Sequence, residues 1–307
     1  MFTNPMESAL FLPTVYRLVA LLGGVLIILL ILAKGNVKTL VQNSLFQRWR
    51  VWVVIAPIFL LSVLSGKVTT SIFIIAITVQ GLREYATLVD LPQGYRRVLL
   101  FAGLIVTPMA AVSLNGFYLL APVLLILATL QPLAFTEVKN GVRHLAFATL
   151  GWGYIGWFLG HFNLIGNNLP GGDGILLILG LAVAISDVGA FTVGKALGSH
   201  KMAPRLSPNK TWEGAAGNLI GAYLAVAIMG FSLPSNLFWI ITLALPLLVA
   251  PGAIRGDLFE SAIKREFDLK DAGSWLPGFG GILDRIDSLI LVTPLVYYSL
   301  VLLNKMV

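Results

Sequence analysis

The chain contains no cysteine, only three histidines and few charges, with fourteen acidic and twenty-one basic residues among 307. Without cysteine, disulfides, thiolate metal sites and thiol nucleophiles are excluded. Charged residues make up 11% of the chain and hydrophobic ones 57%, with a mean hydropathy of +0.88. A soluble domain of this length needs far more polar surface, so the composition predicts an all-α, polytopic helical membrane protein. No cleavable leader is evident in the sequence. The first long apolar run starts near Thr14, is long enough to span a bilayer and lacks a small-residue cleavage site. Nor is there an internal repeat, which argues against an inverted-repeat transporter.

What is present is a series of apolar runs of spanning length, near 14–33, 51–66, 68–88, 97–113, 116–134, 144–163, 174–194, 215–232, 236–254 and 286–303. They predict about ten transmembrane helices, the second and third joined by a tight turn at Ser65-Gly66. Pro57, Pro108, Pro122, Pro246 and Pro294 fall inside runs, where neighbouring helices can cover the freed backbone groups. With the N-terminus outside, 18 of the 21 basic residues fall on inner loops, and the outer stretch at 166–174 has none. This is the positive-inside pattern. The formal charge of +7 is therefore a topology signal, and nucleic acid is excluded as its cause. The whole chain, 1–307, is predicted to be one membrane domain, with 1–170 mainly scaffold and the chemistry in 171–307.

Two polar stretches interrupt the second half. In the first, 186–217, Asp187 lies deep in an apolar run, where a carboxylate must pair, bind a cation or stay protonated. Lys195, Lys201, Arg205 and Lys210 follow, spaced by Gly, Pro and Ser, a pattern suited either to a polyphosphate or to anionic lipid head groups. Ser207, Lys210, Thr211 and Glu213 form a turn, a cation and an acid at a helix start, so Glu213 either complements the helix N-terminus or binds a metal.

The second stretch, Gly256 to Ser288, holds eleven charged residues in thirty-three positions between apolar walls. Asp257, Glu260 and Lys264 are spaced to share one helical face, and Arg265, Lys270 and Asp271 follow. Gly278, Gly280 and Gly281 then lead into Asp284-Arg285-Ile286-Asp287. Two helix ends that present carboxylates suit a hard divalent cation such as Mg²⁺, with the neighbouring cations left for phosphates. A salt-bridged loop of solvated charges is the alternative. No covalent nucleophile is evident, and metal-assisted displacement at phosphorus fits the residues better.

The run Ser261-x-Ile263-Lys264-Arg265-x4-Lys270-Asp271, continued by Gly280-Gly281-Ile282-x-Asp284-Arg285-Ile286-Asp287, resembles the signature of the CDP-diacylglycerol synthases (phosphatidate cytidylyltransferases). Gly256-Asp257 and Ser207-Pro208-x-Lys210-Thr211-x-Glu213-Gly214 are similar to that family's other motifs. The resemblance implies CTP and phosphatidate, or a related anionic lipid, as substrates. It also implies CDP-diacylglycerol and pyrophosphate as products, Mg²⁺ as cofactor, and an active site on the cytoplasmic face of a bacterial inner membrane. It makes Asp257 and Asp284 metal ligands. Lys264, Arg265, Lys270, Arg285 and Lys210 become phosphate holders, with Asp187, Asp271 and Asp287 as supporting groups and Ser207, Thr211, Glu213, Gly280 and Gly281 near the substrate. A second metal ion and a homodimer stay open. One position departs from the pattern: Phe279 stands where the family usually has His, and Phe neither transfers a proton nor binds metal. A non-catalytic or substrate-shifted paralogue, and an ion-coupled transporter using Asp187, are therefore kept as alternatives.

Overall fold

The computed structural model describes residues 2–269, 272, 273, 275 and 280–306. In chain order the helices are α1 (Phe11–Leu32), α2 (Val37–Gln42), α3 (Ser44–Leu64), α4 (Lys67–Leu88), α5 (Gln93–Val112), α6 (Leu114–Ala128) and α7 (Gln131–Ala134). They continue as α8 (Gly141–Gly151), a π-helical segment (Trp152–Trp157), α9 (Phe158–Asn168), α10 (Gly172–Leu197), α11 (Trp212–Met229), α12 (Phe238–Glu266) and α13 (Leu283–Met306). Between α10 and α11 a small antiparallel hairpin pairs β1 (Lys201–Ala203) with β2 (Ser207–Thr211).

Among the described residues, eight helices are long and apolar enough to cross a membrane. The other two expected spans are present as helices but are more polar or interrupted. One is α4, whose buried face carries Thr70, Ser71, Thr78 and Glu84. The other is the continuous run α8–π–α9. A helix shielded from lipid by its neighbours can carry polar groups that a lipid-facing one cannot. α1 shows the opposite case: Tyr16, Val19, Ile27, Ile28, Ile31 and Leu32 are exposed, and an apolar surface of this extent belongs against lipid.

Two sequence expectations need correction. The outer stretch at 166–174 shrinks to a connection of three residues, because α9 runs to Asn168 and α10 starts at Gly172. The segment 207–211 is a strand and not an isolated turn.

Small residues bring the last four spans together. Gly217 and Gly221 of α11 sit against α10, where a Cβ on Gly221 would lie 2.6 Å from the Ile185 carbonyl. Gly252 and Gly256 do the same for α12 against α13, with a Cβ on Gly252 meeting Val292 at 2.9 Å. Both pairs have small-xxx-small spacing, which lets helix backbones approach where no hydrophobic drive exists in lipid. Gly256 thus packs on the backbone of Asp287 and Ser288. The acids on either side of it are thereby held at one end of the bundle.

Candidate active site

Lys210 of the hairpin, Asp187 of α10, Asp257, Glu260 and Lys264 of α12, and Asp284 and Asp287 of α13 gather in one place. Lys210, on β2, makes an ion pair with Asp257 on α12. Burial draws the Lys210 amine down, but the attraction and hydrogen bond of Asp257, with the fields of Asp187 and Asp287, hold it above the ordinary lysine value. It therefore stays charged. Asp187 on α10 is open to solvent although densely surrounded by protein, as at the wall of a cleft. Its electrostatic neighbours are Lys210, Asp257 and Arg285.

A second knot adjoins the first. Lys264 on α12 bonds Glu260 at 2.7 Å and Asp284 of α13 at 2.8 Å. The expected shared face of Asp257, Glu260 and Lys264 is present, since the Glu260 pair is one helical turn long. Asp284 also accepts the backbone N–H groups of Gly281 at 2.8 Å and of Ala272 at 3.1 Å. Asp287 is buried beside Asp257, Glu260 and Asp187, and takes the N–H of Ser288 at 2.6 Å.

Other expected residues lie elsewhere. Glu213 bonds Ser199 and the backbone and ring of His200, and so closes the hairpin. The Thr211 hydroxyl caps α11 through the Gly214 N–H at 3.1 Å. Ser207 is half-buried at the start of β2. Arg265 donates to the Leu269 carbonyl at 3.1 Å. Lys270, Asp271 and Phe279 lie outside the described residues. Thr211→Ala is expected to cost about 1 kcal/mol, the usual worth of a cap. A fall in thermal midpoint with unchanged substrate KM would mark a structural role for this hydroxyl, and a raised KM a substrate contact.

One group was missed by sequence reasoning. Glu84 of α4 is buried and accepts the Leu283 N–H at the start of α13, at 2.8 Å, while Gln80 donates to its other oxygen at 2.9 Å. A Cβ at either Gly273 or Gly281 would run into this carboxylate. The available signal was a single acid within a run of spanning length.

A profile described as "Cytidylyltransferase family" matches residues 46–303. The chain belongs to this cytidylyltransferase family. Among curated relatives, the phosphatidate cytidylyltransferase of Bacillus subtilis is 34% identical over 84% of this chain and 98% of its own length. That of Brucella suis is 35% identical over 76% and 84%. An uncharacterized protein, YnbB, of Escherichia coli is 32% identical over 82% and 85%. The resemblance read from the signature is therefore borne out, and the protein is an integral membrane nucleotidyltransferase of all-α build.

Whether the charged cluster suits a divalent cation can be judged from its donors. Asp187, Asp257, Glu260, Asp284 and Asp287 face Lys210, Lys264 and Arg285, leaving a formal deficit of positive charge among the described residues. No cluster of three or more acids or histidines there forms a ready metal cage. Oxygen donors from separate helices, without a closed cage, fit Mg²⁺, which keeps waters and binds one or two carboxylates together with substrate phosphates.

Proposed function

We propose that this protein transfers the cytidylyl group of CTP to phosphatidate, releasing pyrophosphate and leaving CDP-diacylglycerol in the bilayer. The observation that carries the proposal is the meeting of Lys210 with Asp257, and of Lys264 with Asp284, at one end of lipid-embedded helices. In this reading a phosphate oxygen of the lipid attacks the α-phosphorus of CTP, and the bond to the β-phosphate oxygen breaks. Lys210, Lys264 and Arg285 hold phosphate oxygens and balance the charge that develops on the leaving group. Asp257, with Asp187 and Asp287 beside it, would hold Mg²⁺. Bound there, the cation would neutralise the triphosphate and polarise its phosphorus. Asp284, with its oxygens shared among Lys264, Gly281 and Ala272, is better suited to shaping the loop, although the motif makes it a ligand. The basic residues on the inner loops support a cytoplasmic active site in a bacterial inner membrane.

The test is formation of CDP-lipid from labelled CTP and phosphatidate by purified protein with Mg²⁺. Product well above that of an Asp257→Asn control is expected, and product no higher than the control would overturn the proposal. Phe279 favours a second reading, a paralogue that binds CTP without turnover. Measurable CTP affinity without product, and product restored by Phe279→His, would select it.

A further inference from the structure

Between Asp187 and Glu213 the chain carries Lys195, Lys201, Arg205 and Lys210 and no acid. The structure divides these cations. Lys210 turns in to Asp257, whereas Lys195, Lys201 and Arg205 are exposed and have no carboxylate partner among the described residues. The charged cluster thus uses one of the four and leaves three outside it.

The place of those three relative to the bilayer follows from the two helices that the hairpin joins. Val188, Phe191 and Lys195 are exposed on α10 at i, i+3 and i+7, and so share one face. Exposed apolar side chains on a spanning helix face lipid, so this stripe runs through hydrocarbon and ends on a cation at its boundary. The Lys195 ammonium lies 5.7 Å from the centre of the Phe191 ring. On α11 the exposed stripe of Leu224, Ile220 and Ala216 ends at Trp212, which is 63% exposed in the first turn. Tryptophan concentrates at that level of a bilayer. The Trp212 N–H donates to the His200 carbonyl at 3.0 Å, so Lys201 leaves the backbone at the same level.

A snorkelling lysine and a belt tryptophan are ordinary at helix ends. They do not account for Lys201, Arg205 and Leu206, which are exposed in the hairpin, beyond both ends. Cations with no acid among them, flanked by the exposed side chains of Leu197, Leu206 and Trp212, match a bilayer surface that is negative, each Lys or Arg adding to the attraction. A soluble polyphosphate would leave those three apolar groups in water. We propose that the exposed side of the hairpin docks on anionic lipid head groups of the adjoining leaflet, through Lys195, Lys201 and Arg205. The dock lies apart from the Lys210–Asp257 pair, and it holds the strand that carries Lys210 against the membrane. It does not depend on turnover.

The test uses the full-length chain with Pro204→Cys, the sole thiol because the sequence has no cysteine, labelled with bimane and reconstituted in phosphatidylcholine vesicles. A small fixed fraction of the lipid carries a nitroxide near its head group, on phosphatidylglycerol in one sample and on phosphatidylcholine in the other. Quenching by the phosphatidylglycerol is expected to be about threefold the stronger, with the ratio falling toward unity as salt is raised. Lys201→Gln together with Arg205→Gln is expected to bring the ratio near unity at low salt, whereas Lys201→Arg together with Arg205→Lys preserves it. Equal quenching by the two lipids with the cations in place, or an undiminished ratio in the glutamine variant, would overturn the dock. Inorganic pyrophosphate, added at matched ionic strength, is expected to leave the ratio unchanged. Collapse of the ratio would assign this face to a soluble polyphosphate and remove the lipid. If the glutamine variant does not fold, the salt series decides alone, and a ratio insensitive to salt overturns the dock. CDP-lipid formation enters none of these readouts, so the dock and the transferase reading fail separately.

Discussion

Asp287→Asn is expected to cut CDP-lipid formation at least a thousandfold while leaving the protein as stable as before, or more so. The side chain is 7% exposed, and among the described residues it makes no ion pair with a lysine or arginine. Glu260, Asp257 and Asp187 all repel it, and the attraction of Lys210 offsets only part of that. A buried carboxylate surrounded by other carboxylates costs several kcal/mol, and its neutral isostere removes that cost with little change of shape. Each kcal/mol relieved raises the midpoint of thermal unfolding by about 2–4 °C in a chain of this order of size. Function moves the other way. A thousandfold loss corresponds to about 4 kcal/mol of transition-state stabilisation, a reasonable share for one carboxylate of a cation site. Thermal unfolding in detergent, run beside the CDP-lipid assay, checks both signs. An Asn variant that is less stable and still within tenfold of wild-type activity would show that Asp287 serves the fold.

The membrane class, the positions of the long helical runs and the residues of the charged cluster were legible in the sequence because each depends on local pattern. Spanning length and inner-loop cations are read along one segment, and the Glu260–Lys264 pair needs only one helical turn. Less legible was which acid meets which base. The sequence set Asp257 and Asp284 side by side as ligands, but the fold gives Asp257 to Lys210 on the hairpin and Asp284 to Lys264. That choice depends on how closely Gly252 and Gly256 let α12 approach α13, and it leaves no local trace. The hairpin itself was hidden because its strands, three and five residues long, lie in a polar loop without alternation. Glu213 read equally well as a helix-start acid or a ligand, and only the position of His200 shows what it bonds.

Glu84→Ala is expected to lower activity about a hundredfold without touching any group that meets substrate. Glu84 and Leu283 are 199 positions apart, yet the carboxylate acts as the acceptor for an otherwise free N–H at the first turn of α13. A negative group there also complements the helix dipole. Hydrogen bonds to charged groups are worth about 1.5–3 kcal/mol, and an orphaned buried N–H adds its own desolvation cost. The bond anchors the turn that carries Asp284, Arg285 and Asp287. Gly281 allows it, because a Cβ at that position would collide with the Glu84 carboxylate and meet the Gly273 nitrogen at 3.0 Å. Displacement of a catalytic group by about 1 Å can cost a factor near a hundred, which sets the expected loss. Glu84→Gln keeps an acceptor at the same reach and is expected to stay within about tenfold of wild type, and Gly281→Ala should match the alanine variant at 84. The KM for CTP and kcat, measured for all three, separate the outcomes: a Glu84→Ala enzyme within threefold of wild type would mean that the start of α13 holds its place without this tether.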